Sequence, residues 1–241
     1  CVAPDFNPSS IHADEWVPVN IGTDAALALS MAQVIVEEKL HKPAFMVEQT
    51  DMPLLVRVDD RRFLRASDLK PDGADDRFFV FDTVAQRIVE APRSSLELGT
   101  IAPALEGVFE VETREGTIRV TTVFEQLKAR LADYTPEQTE AITGVKSSQV
   151  RALARRIARA NACSNISQTN FGKFYHGLEM ERSILLVFAL TGHFGRRGAG
   201  YAAVPMLSIS GVDPFTPANG KYAPKIAIGL VALKAAPEML R

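Results

Sequence analysis

Residues 51–119 carry a pattern that neither flank shares, and this contrast sets the tightest limit on the fold. The runs "LLVRV", "RFFVF", "GVFEVE" and "TIRVT" are short and rich in β-branched and aromatic residues, and clusters such as "KPDGADD" separate them. Runs of that length, bounded by Asp, Gly and Pro, predict strands joined by turns. Helical spacing governs the flanks instead. Leu27, Met31, Val34 and Ile35 recur on one face of a helix expected over residues 23–40, with Thr23 as its cap and Asp24 in its first turn. Pro43 suits the first turn of a second short helix, "PAFMVEQ".

Past the β-rich stretch, "TTVFEQLKARLADY" returns to the helical pattern, and "TPEQ" supplies the cap, the N1 proline and the N3 glutamine of a capping box. "SSQVRALARRIARAN" puts Val150, Leu153, Ala154 and Ile157 on one face and Arg151, Arg155 and Arg159 on another, expected to be solvated. "CSNISQT" reads as a buried strand. Residues 178–191 read as a buried helix that stops in "GHFGRRGAG", where glycines permit left-handed turns. Near the start, "CVAP" and "ADEWVPVNI" supply two further short strands. Strand, loop and helix in that order predict an α/β fold, with Rossmann-like parallel sheet layers and a β-rich excursion. Four segments are expected: an α/β segment at 1–50, the excursion at 51–120, a second α/β segment at 121–205, and a loop or linker at 206–241.

The chain has 241 residues, 46% of them apolar, enough for one large core or two modest ones. Its 27 basic and 29 acidic side chains leave a net charge of −2, which gives no reason to expect a nucleic-acid partner. Cys1 and Cys163 stand too far apart for a CxxC pair or a metal cluster, and Cys163 is expected to be a small buried residue. No apolar run approaches the roughly 18 residues of a membrane span. No basic n-region precedes an apolar stretch, so no signal peptide is expected, and "CVAPDFNPSS" reads as a strand running into a loop within a longer chain.

In parallel sheets, ligands bind where strands end and loops lead into helix N-termini. Two places fit. The first combines "APDFNPS", with Pro4, Asp5 and Asn7, and "NIGTD", with Gly22, Thr23 and Asp24. A first-turn carboxylate gains about 0.3–1 kcal/mol from the helix dipole with no ligand at all. A carboxylate also offers two acceptors, which match the ring N–H and exocyclic amine of guanine and reject adenine. Gly22 would let a ligand approach the backbone. Spacing alone does not decide between helix start and ligand contact. The second place is "SQTNFGKFYHG", where Thr169, Asn170, Lys173, Tyr175 and His176 crowd one loop. Lys173 suits a phosphate, and Thr169 or Asn170 can hydrogen-bond one; Lys173 also fits a solvated loop, and His176 a structural role. No Walker A, GxGxxG, HExxH or GxSxG motif is present.

In order along the chain, "APDFNPSSIHADEWVPVNIGTDAALALSMAQVIVEEKL", "ITGVKSSQVRALARRIA" and "NFGKFYHGLEMERSILLVFALTGHFGRRGAGY" resemble the molybdopterin oxidoreductases of the dimethyl sulfoxide reductase family. "QTDMPLLVRVDDRRFLRASDL" looks like the branch holding respiratory nitrate reductase, selenate and chlorate reductases, dimethyl sulfide dehydrogenase, and the ethylbenzene and steroid C25 dehydrogenases. "TIAPALEGVFEVETREGTIRVTTVFEQLK" looks most like the hydrocarbon-hydroxylating members.

The resemblance implies part of a larger, multi-domain molybdopterin-binding fold and a molybdenum bis-molybdopterin guanine dinucleotide cofactor shared with other parts of the subunit. It places residues 3–7 and 22–24 at the guanosine end of one dinucleotide, makes Asp24 the guanine contact, and sets Thr169 and Lys173 near the pterin. "NFGKFYHG", with Lys173 and His176, departs from the glutamine-histidine form common in the family. A 4Fe-4S cluster is implied only for an N-terminal module, since this sequence has no cluster-ligand motif, and the molybdenum ligand is assigned to no residue here. The implied partners are the rest of the catalytic subunit, an iron–sulfur electron-transfer subunit and a small-molecule substrate. The implied reaction is water-dependent hydroxylation of a hydrocarbon or a related dehydrogenation. The alternatives are an oxyanion reductase of the nitrate, selenate or chlorate type and a non-catalytic guanine-nucleotide-binding module. Most members of this branch are exported while respiratory nitrate reductase stays cytoplasmic, so the resemblance suggests a periplasmic protein, with a cytoplasmic one as the alternative.

Overall fold

The computed structural model describes residues 1–92, 97–167 and 174–202. Helix α1, Asp24–Glu37, is the hub. It is apolar nearly all round, as a helix enclosed on several sides must be, and Leu27, Ala28, Met31, Ala32, Val34 and Ile35 are all buried. Its chain turns at Lys39 (φ 54°), and α2, Pro43–Gln49, follows with the expected proline in its first turn.

The β-rich stretch then begins. Strand β1, Leu55–Arg57, is followed by the short helix α3, Ala66–Leu69, and the hairpin β2, Phe79–Asp82, with β3, Arg87–Glu90. Strands β4, Val108–Thr113, and β5, Gly116–Thr122, form a second hairpin, and the sheet order is β1-β5-β4, all antiparallel. Leu55, Leu64, Val111 and Val120 make a small core of their own, with Phe81 stacked on Phe109 at 3.8 Å. The stretch leaves and re-enters the helical layer through one neck, where Val123 N–H donates to Leu54 O and Phe124 N–H to Met52 O, both at 3.0 Å.

Helices α4, Val123–Leu131, α5, Pro136–Thr143, and α6, Ser147–Arg159, come next, and all three pack on α1. The capping box of "TPEQ" forms in full: Thr135 Oγ1 accepts from Gln138 N–H, and Gln138 Oε1 accepts from Thr135 N–H at 3.1 Å. The arginine face of α6 is not simply solvated. Arg151 pairs with Glu137 of α5, and Arg155 makes a two-pronged pair with Glu38 at the end of α1, because both helices turn a carboxylate toward α6.

Strand β6, Ser164–Ile166, helix α7, Gly177–Thr191, and strand β7, Gly200–Ala202, complete the described chain. α7 packs along α1 and shares its core through Val187, Phe188 and Leu190, while Leu185 and Leu186 are only half-buried. It ends at Gly192 in the left-handed region, and buried His193 donates from Nε2 to Ile157 O at 2.8 Å, tying the glycine-rich loop to α6. The strand expected in "CSNISQT" forms but is not buried: Ile166 is 77% exposed, since among the described residues β6 pairs with β7 and nothing covers its outer face. The α/β class holds. Parallel pairing among the described residues is confined to β6–β7 and to a Val2–Val17 bridge, so the two N-terminal strands predicted from sequence reduce to one contact.

Arg57 organises the β-rich core. It is 7% exposed, grips Asp59 with two hydrogen bonds, donates to Asp68 Oδ1 at 2.9 Å and lies near Asp60 and Glu115. The Arg57 guanidinium holds the Asp59 carboxyl down at about 2. A carboxylate depressed by folding adds stability that is complete above its unfolded value near 4 and is lost as pH falls toward 2. Arg57→Leu is expected to lower stability at pH 7, by less than for a fully buried pair because Asp59 and Glu115 remain solvated. Urea midpoints measured from pH 7 to 2 should fall steeply below pH 4 in the parent and much less in the variant. Parallel curves would show that Arg57 does not hold these carboxylates.

Candidate functional site

The Val2–Val17 bridge is parallel, with Val17 N–H donating to Cys1 O at 2.8 Å and Ala3 N–H to Val17 O at 3.2 Å. Both segments therefore reach their carboxyl ends on the same edge. The loops that follow, residues 4–7 and 20–24, leave from that edge together. In the first, Pro4 and Asp5 are exposed, and Asn7 Oδ1 accepts from Ser9 and Ser10 N–H, starting the short 3-10 turn Ser10–His12. Phe6 meets Trp16 edge-on at 5.6 Å, and Trp16 Nε1 donates to Ala3 O at 3.0 Å, which fixes the base of the loop.

The second loop is a tight turn. Thr23 N–H donates to Asn20 O at 3.1 Å, and Gly22 holds φ +82°, which the third residue of such a turn requires. A side chain at Gly22 would meet nothing within 4 Å, so the backbone here borders open space. Thr23 does not cap α1 as predicted. Its hydroxyl donates to Asn20 O at 2.7 Å, and the geometry of the turn draws it away from the helix amides. The first intrahelical bond is Leu27 N–H to Thr23 O, so the amides of Ala25 and Ala26 have no acceptor among the described residues.

Asp24 stands beside them, half-buried, with no other side chain bonded to its carboxylate among the described residues. Burial pushes its carboxyl above the ordinary aspartate value, and its own backbone N–H pulls the other way without cancelling the effect. The dipole of α1 also favours the charge. Desolvation wins.

The second predicted loop is described only in part, because Thr169, Asn170 and Lys173 lie outside the described residues. His176 is exposed in the left-handed region (φ 61°) as the residue before α7, with Nδ1 3.8 Å from Glu179 and its ring 4.1 Å from that of exposed Tyr175. α7 packs on α1, and near its end Leu190 O accepts from the N–H of Lys42, the residue before α2, at 2.8 Å. A cavity of about 200 Å³ between Cys1, Val17, Leu153 and Arg156 touches none of the candidate residues. No group of three His, Cys, Asp or Glu side chains among the described residues is placed to hold a metal ion, and no helix there is long and apolar enough to cross a membrane.

Sequence reading missed Asn20. Its side-chain amide donates to Ile142 O and its backbone N–H to Thr143 O, both at 2.9 Å. An asparagine two residues before a glycine signals a turn, but nothing local announces a partner 122 residues away.

The parallel bridge brings the loops at 4–7 and 20–24 to one edge, the kind of place where α/β sheets receive ligands. The chain is 46% identical over 203 residues to dimethylsulfide dehydrogenase subunit alpha of Rhodovulum sulfidophilum, 46% identical over 204 residues to chlorate reductase subunit alpha of Ideonella dechloratans, and 38% identical over 216 residues to respiratory nitrate reductase subunit alpha of Haloferax mediterranei. These alignments take in 82–83% of this chain and 22% of each relative, so the chain spans about a fifth of the relatives it matches. No family model matches. Among solved structures, acetylene hydratase of Pelobacter acetylenicus aligns with 82% of this chain and 17% of its own, at TM-score 0.48 and 19% identity. The chain belongs to the dimethyl sulfoxide reductase family of molybdopterin oxidoreductases, as a segment homologous to the alpha subunits.

A carboxylate whose folded value is raised favours the fold below its unfolded value near 4, and that favour is lost as pH rises through the folded value. Ionised Asp24 therefore weighs against the cofactor-free fold at neutral pH. Asp24→Asn is expected to raise the melting temperature of cofactor-free protein slightly at pH 7, with the gain vanishing below pH 4. A drop at pH 7 would mean that the helix dipole outweighs desolvation.

Proposed function

We propose that this segment holds the guanosine end of a molybdopterin guanine dinucleotide in the catalytic subunit of a molybdenum oxidoreductase. One observation carries the reading: a half-buried carboxylate, bonded to no other side chain among the described residues, at a helix start bordered by open backbone at Gly22. That donor set suits the ligand. Asp24 offers two acceptors for the ring N–H and the exocyclic amine of guanine, and the amides of Ala25 and Ala26 offer donors to an anionic or carbonyl oxygen. Asp5, Asn7 and Pro4 border the same edge, and Thr23 keeps hydroxyl lone pairs free beside it. Thr169, Asn170, Lys173 and His176 are assigned to the same cofactor nearer its pterin.

When bound, the cofactor supplies two-electron oxygen-atom exchange with substrate. This chain's residues bind and orient it, and the molybdenum ligand and the substrate pocket belong to the remainder of the subunit. Equal identity to a dimethylsulfide dehydrogenase and to a chlorate reductase supports oxidative hydroxylation or dehydrogenation and oxyanion reduction alike. The partners in this reading are the rest of the catalytic subunit and an iron–sulfur electron-transfer subunit.

The test is Asp24→Ala in the complete alpha subunit. Guanine nucleotide released per mole of purified protein should drop about tenfold, as expected when charge-assisted bonds are removed, while the melting temperature moves by only a few degrees. Unchanged guanine content would remove Asp24 from the site. Equal loss of guanine and of folded protein would make it a helix-start residue only.

A further inference from the structure

We infer that Asn20 is the positioning residue that aims Asp24, by hanging the turn before α1 from the end of α5. A helix leaves its last carbonyls without intrahelical partners. At the end of α5 two of these, Ile142 O and Thr143 O, receive donors from the one residue Asn20, through its side-chain amide and its backbone N–H. The carbonyl of Asn20 in turn accepts both the N–H and the hydroxyl of Thr23, at 3.1 and 2.7 Å. Four hydrogen bonds thus run through a single exposed residue between α5 and the first turn of α1.

The seat for Asn20 is shaped as well as bonded. Gly144 ends α5 at φ +73°, and a Cβ there would come within 3.2 Å of Asn20 Oδ1 and 3.3 Å of Nδ2. The absent side chain is the space the asparagine occupies. α5 is itself anchored to α1, since buried Thr139 donates its hydroxyl to Ser30 Oγ at 3.0 Å. The turn is therefore referenced to the helical layer at both ends, which fixes where the start of α1, and with it Asp24, sits relative to α5. A bidentate contact needs this, because two parallel hydrogen bonds fail together when the acceptor rotates.

This inference rests on the reading of Asp24 as the guanine contact, and the experiment separates the two. The complete alpha subunit, purified free of cofactor, is titrated with GDP and with IDP, whose base lacks the exocyclic amine. The parent should prefer GDP by about tenfold or more, the worth of one hydrogen bond to a charged group. Asn20→Ala should cut that preference to threefold or less with a melting temperature within a few degrees of the parent, and Asn20→Ser, which keeps a short donor, should recover part of it. Asn20→Asp sets an acceptor against Ile142 O and should behave like Asn20→Ala; this pair of polar variants decides the matter if the alanine variant does not fold. Equal weakening of GDP and IDP, or an unchanged preference in Asn20→Asp, would overturn the positioning role and leave the Asp24 reading intact. A parent with no preference, matched by Asp24→Ala, would overturn both.

Discussion

Burial of α1 on several sides at once is the constraint that the rest of the chain satisfies. A helix whose Leu27, Ala28, Ala32, Val34 and Ile35 are almost entirely shielded needs neighbours in several directions, and α4, α5, α6 and α7 supply them. The polar groups caught inside are matched in part: Ser30 accepts from Thr139, and Gln33 donates to Glu37 at 2.8 Å, while the buried Oε1 of Gln33 has no partner among the described residues. A helix so enclosed cannot tilt or slide without unpacking its neighbours. Its N-terminus is consequently a rigid place to mount a carboxylate.

That rigidity explains why Asp24 tolerates partial desolvation. The turn through Gly22 and the bonds of Asn20 fix the backbone that leads into Asp24. In the proposed function, Asp24 has an unmet demand for hydrogen-bond donors that a ligand bringing two donors would relieve. Stability and binding would then draw on the same group with opposite sign.

Local chemistry was readable from sequence wherever it closed on itself. The capping box at Thr135 and Gln138, the proline opening α2 and the left-handed glycine ending α7 all involve residues within four positions of each other, and all appear as expected. What escaped was set by distant partners. Thr23 has the chemistry of a cap, yet the turn gives its hydroxyl a closer acceptor. Arg155 looks like a solvated residue until α1 brings Glu38 beside it. In the candidate site, Asp24 and Gly22 were visible as a pattern, while Asn20 was not, because its role comes from a helix end 122 residues later.

The neck of the β-rich stretch carries a consequence for how such a chain changes over time. Leu54 and Val123, and Met52 and Phe124, are joined by hydrogen bonds, so the chain departs and returns at nearly one point. What lies between folds on its own small core around Arg57. Insertions and deletions there alter a loop whose ends are already closed, and they leave the spacing of α2 and α4 untouched. The helical layer and its ligand edge can stay fixed while this appendage diverges in length, charge and surface. It is the part of the chain free to acquire new neighbours.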